Sequence, residues 1–137
     1  MEKTCAILKP DCVRKQLTGK VLNMALERGF RLLGLKMMRL TRAQAEAFYA
    51  EHRGKPFYEK LVDFMTEGRV IAAVLEKENA IDDWRALMGK TDPKEAAEGT
   101  IRRLYAENVS INVVHGSDCA ETAAREIAFF FSQSELL

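Results

Sequence analysis

Apolar and polar positions along the chain follow two rhythms, one suited to strands and one to helices. TCAILK, residues 4–9, is apolar until Pro10-Asp11 interrupts it, which predicts a strand running into a loop. Between Thr18 and Arg28, the residues Val21, Leu22, Ala25 and Leu26 recur at helical spacing, with Thr18 as the cap and Gly29 as the stop. RLLGLKMMRL, residues 31–40, predicts a second strand. Thr41 and Gln44 have capping-box spacing and open a helix toward His52, and another helical pattern runs from Phe57 through Leu61, Phe64 and Met65 to Gly68. VIAAVL, residues 70–75, is apolar without alternation, as expected of a strand buried on both faces near the centre of a sheet.

Asn79 begins a short helix that turns Ile81, Trp84, Leu87 and Met88 inward and ends at Gly89. A loop at Thr91-Asp92-Pro93 leads to a brief helix over 99–107 and a fourth strand, INVVH, at 111–115. Asp118 with Glu121 predicts the cap of a last helix, which carries Ala120, Ala123, Ala124, Ile127, Phe130 and Phe131 on one face. The order β, α, β, αα, β, αα, β, α predicts an α+β fold of the ferredoxin-like (split βαβ) type: a four-stranded antiparallel sheet covered by helices, with the helices on one face. No repeat or linker interrupts the pattern, so residues 1–137 are expected to form one domain.

Composition narrows the partners. The 21 basic and 20 acidic residues leave a formal net charge of +1, which offers no broad field for binding nucleic acid, so an anionic ligand must be held by a local cluster. Cys5, Cys12 and Cys119 are odd in number and lack zinc spacing, which points to reduced thiols and a cytoplasmic protein. No apolar run approaches the length of a membrane span.

Two local patterns fail as motifs. MGKT, 88–91, ends like a phosphate-binding loop, but Trp84 stands where the first glycine belongs. Arg28-Gly29-Phe30 starts like an RNA-recognition signature and continues with Arg31, Leu32 and Leu33 instead. A different group suits phosphate: Lys9 at a strand end, Arg85, Thr91, Arg102, Asn112 and His115. Lysine offers phosphate a point charge and arginine two parallel donors, while neutral imidazole is a nucleophile. His115 falls where the β-branched pair Val113-Val114 gives way to Gly116-Ser117-Asp118, so a strand end would hold it still and leave it reachable.

NVVHGSD, residues 112–118, is the complete N-x-x-H-G-S-D signature of nucleoside diphosphate kinases. The chain resembles that family over almost its whole length, through TCAILKPD, YAEHRGKPFYEKLV, VIAAVLE, WRALMGKTDP, GTIR and REIAFFF. The resemblance implies transfer of the γ-phosphoryl group of a nucleoside triphosphate to a nucleoside diphosphate, by a ping-pong route through phosphohistidine at His115. It implies that Glu126 accepts a hydrogen bond from the other ring nitrogen, that Ser117 supports Glu126, and that Lys9 and Tyr49 flank the transferring group. Arg85, Thr91 and Arg102 would clamp phosphates, with His52 and Val109 nearby, Asn112 directed at the ribose 3′-hydroxyl, and Phe57 stacked on the base. Mg²⁺ would arrive on the nucleotide phosphates with no dedicated protein ligand, and a homo-oligomer, hexamer or tetramer, would be the assembly. Cys12 departs from the glycine common in K-P-D-G. A binding module without turnover is the competing reading, since a ferredoxin-like fold is uninformative about function.

Overall fold

The computed structural model describes all 137 residues. Strand β1 (Glu2–Leu8) runs into helix α1 (Pro10–Arg14), where Pro10 occupies the first turn and needs no amide partner. The sequence predicted a loop there; proline's fixed φ suits a helix start as well as a break. Helix α2 (Thr18–Glu27) has Leu17, not Thr18, at its cap. Strand β2 (Arg31–Met38) follows, then α3 (Arg42–Phe48), whose capping box is complete: Gln44 N–H donates to Thr41 Oγ1, and Thr41 N–H donates to Gln44 Oε1.

A 3₁₀ turn at Ala50–His52 precedes α4 (Tyr58–Thr66) and β3 (Val70–Lys77). Helices α5 (Ala80–Met88) and α6 (Ile101–Tyr105) lead to the short strand β4 (Val114–Gly116), and α7 (Ala120–Phe130) closes the order before a last 3₁₀ turn. Two expected caps differ. Asn79 caps α5 in a left-handed conformation without a side-chain bond. Cys119 rather than Asp118 caps α7, because the Asp118 carboxylate is drawn away to Arg85.

The strands pair in the order β2-β3-β1-β4, antiparallel throughout. β1 and β2 are thus separated by β3, the split arrangement expected from the element order. The helices, however, cover both faces of the sheet and not one. Ala6, Leu8, Ile71, Ala73 and Leu75 point into a core completed by α2 and α5 through Val21, Ala25, Trp84 and Leu87. Their sequence neighbours Cys5, Ile7, Val70, Ala72 and Val74 point the other way, against Phe48 of α3, Val62 and Met65 of α4, and Phe130 of α7. Successive strand residues face opposite sides, so a strand apolar at every position needs cover on both.

β4 is the edge strand beside β1, with Ile7 opposite His115 and Leu8 opposite Val114. That register brings the end of the fourth strand next to Lys9, immediately beyond β1.

Candidate active site

A cleft of about 830 Å³ opens between the ends of β1 and β4, the 3₁₀ turn after α3, and the loop after α5. His115, Lys9, Tyr49 and Glu126 line its floor, and Arg85, Thr91, Arg102, His52 and Val109 line its sides.

His115 Nε2 lies 3.0 Å from Glu126 Oε1, and the same oxygen accepts from Ser117 Oγ at 2.8 Å. Ser117 in turn accepts from the Cys5 amide at 3.2 Å. Glu126 is only 2% exposed, so its charge is held by this relay rather than by water. Because a carboxylate only accepts, Nε2 is the donor of this contact, and in a neutral imidazole that arrangement leaves the lone pair on Nδ1. The Phe48 ring packs edge-on against His115, with centroids 5.5 Å apart.

Gly116 is required by this packing. A Cβ there would come within 2.5 Å of Trp84 Cδ1, and the Trp84 indole uses the space to donate to the His115 carbonyl at 3.2 Å.

Lys9 Nζ donates to Asn112 Oδ1 at 2.8 Å. Burial and the nearby Arg102 charge lower the Lys9 pKa to about 8, with Asp11 pulling the other way. Arg102 is lowered to about 10, by burial first and then by Arg85. Its guanidinium binds three carbonyls, those of Asn112, Gly89 and Val114, at 3.2, 3.1 and 2.8 Å. Burial, followed by the Glu126 and Cys5 charges, raises the Tyr49 pKa well above its usual value, and the buried hydroxyl has no hydrogen-bond partner. The neutral hydroxyl of this cleft-lining residue therefore has no protein acceptor.

A cationic wall, a free imidazole nitrogen and a partnerless hydroxyl meeting in one cleft suit a phosphorylated ligand. The profile of the nucleoside diphosphate kinase family matches residues 2–136. The chain belongs to the nucleoside diphosphate kinase family. Its activity is phosphoryl transfer between nucleotides. It is 55% identical to the nucleoside diphosphate kinase of Chlorobium chlorochromatii, over the full chain and 98% of that relative. Against the enzyme of Geobacter sp. (strain M21) it is 54% identical, each chain being covered completely. Among solved structures, the Aquifex aeolicus nucleoside diphosphate kinase superposes with a TM-score of 0.97 at 42% identity, covering 99% of both chains. The Halobacterium salinarum nucleoside diphosphate kinase in complex with CDP gives 0.95 at 41% identity, covering 99% of this chain and 91% of that one.

In this member of the nucleoside diphosphate kinase family, three expected residues stand off the cleft wall. Ser117 and Asn112 are buried behind it and act on it through Glu126 and Lys9. Phe57 is 47% exposed at the rim, its ring 5.3 Å from that of His52. His52 stacks on Tyr49 with centroids 6.2 Å apart. Sequence reasoning missed Phe48, the Asp118 carboxylate that holds Arg85 at 2.6 Å, and Arg125, which donates to the Phe48 carbonyl and lies 3.7 Å from Glu126 Oε2. Phe48 and Arg125 carry a signal only in being next to Tyr49 and Glu126.

Proposed function

We propose that His115 carries the phosphoryl group between nucleotides, and that residues 1–137 form one catalytic unit around it. The observation supporting this most strongly is the relay from the Cys5 amide through Ser117 and Glu126 to His115 Nε2, which leaves Nδ1 as the free nitrogen. In the first half-reaction Nδ1 attacks the γ-phosphorus of a nucleoside triphosphate, typically ATP; an N–P bond forms, the bond from the γ-phosphorus to the bridging oxygen breaks, and the nucleoside diphosphate leaves. In the second, a terminal oxygen of another nucleoside or deoxynucleoside diphosphate attacks that phosphorus; an O–P bond forms, the N–P bond breaks, and its electron pair returns to Nδ1 of His115. The enzyme would thereby keep triphosphate pools in balance.

Lys9 and the Tyr49 hydroxyl are placed to meet the charge on the transferring oxygens, and Arg85 would leave Asp118 as phosphates arrive. Thr91 and Arg102 complete the clamp, with His52 beside it. Asn112 would bind the 3′-hydroxyl, while Val109 and Phe57 border the base. Phosphoryl transfer asks little of a protein beyond such positioning and electrostatics. The complex of the Halobacterium salinarum relative with CDP supports a diphosphate-bearing ligand here.

No group of three or more His, Cys, Asp and Glu side chains is gathered for a metal ion, and the cations of the cleft fit phosphate oxygens. Mg²⁺ would be held by nucleotide phosphate oxygens and water, and would withdraw charge from the phosphoryl oxygens when bound. No helix is long and apolar enough to cross a membrane. Three free thiols support a cytoplasmic location, and the family resemblance supports a hexamer or tetramer.

Initial velocities measured at several fixed acceptor concentrations test the two-step route. Parallel double-reciprocal lines are expected; lines that intersect would mean that both nucleotides bind before transfer and would remove the phosphohistidine.

A further inference from the structure

Asn112, Val113 and Val114 form a three-residue γ-turn. The Val114 amide donates to the Asn112 carbonyl at 2.9 Å, and Val113 sits at φ +76°, close to the roughly +75° of that rare and strained turn. A β-branched side chain is an outlier there, so surrounding groups must hold the conformation.

The holding groups, two ionisable side chains and one backbone amide, come from elsewhere in the chain. Asp11 Oδ2 accepts the Val113 amide at 3.1 Å, and the Lys9 amide donates to the Val113 carbonyl at 2.8 Å. Arg102 binds the carbonyls on either side, those of Asn112 and Val114. Asp11 is fully buried, and its other oxygen, Oδ1, has no partner. From this turn the Asn112 side chain reaches Lys9 Nζ in one direction, and in the other the chain proceeds to His115.

We propose that Asp11 is a positioning residue for phosphoryl transfer, fixing through the Val113 amide the turn that sets Asn112 against Lys9 and directs His115 into the cleft. The role rests on His115 being the phosphoryl carrier. Nothing places Asp11 on the cleft wall, so it acts through the backbone and through its charge. Burial raises the Asp11 pKa, opposed first by Lys9 and, more weakly, by Lys15. In return Asp11 raises Lys9, against Arg102, and it helps to raise the buried Cys12 thiol.

Asp11→Ala removes the acceptor. Asp11→Asn keeps an acceptor oxygen of nearly the same shape and removes the charge. Rapid-quench phosphorylation of the full chain by Mg-ATP, together with kcat, KM and their pH profiles, separates the two contributions. Asp11→Ala should slow phosphoenzyme formation roughly tenfold or more with KM changed less than about threefold, and Asp11→Asn should recover most of that rate at neutral pH. Asp11→Asn should also move the alkaline fall of kcat/KM to lower pH, because Lys9 loses a neighbouring carboxylate. Val62→Ala, in the core layer of Phe48 and Phe130 and away from the cleft wall, provides the control for lost stability.

A phosphorylation rate for Asp11→Ala within about twofold of wild type, or a loss no larger than in the control at an equal drop in Tm, would overturn the proposal. If Asp11→Ala does not fold, hydrogen exchange of the wild-type Val113 amide decides instead: exchange as fast as in exposed loops would show the turn unheld and overturn the proposal. Wild-type protein that gains no phosphoryl group on His115 would overturn the catalytic reading itself, a result distinct from normal wild-type phosphorylation with an indifferent Asp11.

Discussion

In the proposed mechanism Lys9 serves the ligand at the expense of the fold. Its pKa of about 8 in the folded protein lies below its ordinary 10.5, burial being the main cause and Arg102 the second. Below about pH 8 the ammonium is present and attracts phosphate; above it the charge is lost, so kcat/KM for the free enzyme should fall as pH rises through 8. For stability the sign is opposite. Between about 8 and 10.5 the unfolded chain binds more protons, so the Lys9 contribution improves as pH rises across that window and is least favourable below it. Lys9→Met should lower turnover roughly 100-fold, in the range found for losing one preorganised donor. The stability difference between the two proteins should shift toward wild type from about pH 8 to about pH 10.5. Parallel pH–rate profiles and urea titrations check both statements, and a kcat/KM that stays level past pH 9 would contradict the first.

At the scale of elements, the site depends on how β4 meets α5. Trp84 packs where a side chain at Gly116 would stand and ties down the His115 carbonyl. Gly116→Ala should force Trp84 and Met88 aside, since the added Cβ would lie 2.5 and 2.9 Å from them, at a cost of about 1–3 kcal/mol. Turnover should fall with stability because the displaced indole releases His115; urea denaturation and steady-state rates measure the two, and an unaltered protein would contradict the packing argument. The sequence made these elements legible where the pattern was long. The unalternated VIAAVL run marked β3 as doubly buried and thereby implied helices on both faces, although the one-face arrangement was expected. The capping box at Thr41 marked α3, and NVVHGSD marked a stretch that the fold brings to the cleft. Other features rest on distant partners: Asp118 is drawn to Arg85 and leaves Cys119 as the cap of α7. The left-handed Val113 depends on Asp11, 102 residues away in sequence, and no short-range pattern of β-branched residues announces such a turn.

For the molecule as a whole, two core layers meet one sheet, and the cleft lies at the edge where both contribute. Glu126 comes from α7 on one layer, and Trp84 and Arg102 come from α5 and α6 on the other. His115 on β4 and Lys9 just beyond β1 sit between them, so the groups proposed for catalysis share the rigidity of the central strands. Such preorganisation can lower a barrier by roughly 7–11 kcal/mol, far more than an exposed ion pair at about 0–1 kcal/mol. The central claim is that this arrangement turns His115 into a transient carrier. Its most direct test is the intact mass of the protein after brief exposure to Mg-ATP, quenched at neutral or alkaline pH, repeated after GDP is added, with His115→Ala alongside. The account predicts a gain of one phosphoryl group in the wild type that GDP discharges as GTP, and no gain in His115→Ala, which still folds and binds nucleotide. An unchanged wild-type mass with nucleotide demonstrably bound, or an equal gain in His115→Ala, would contradict it.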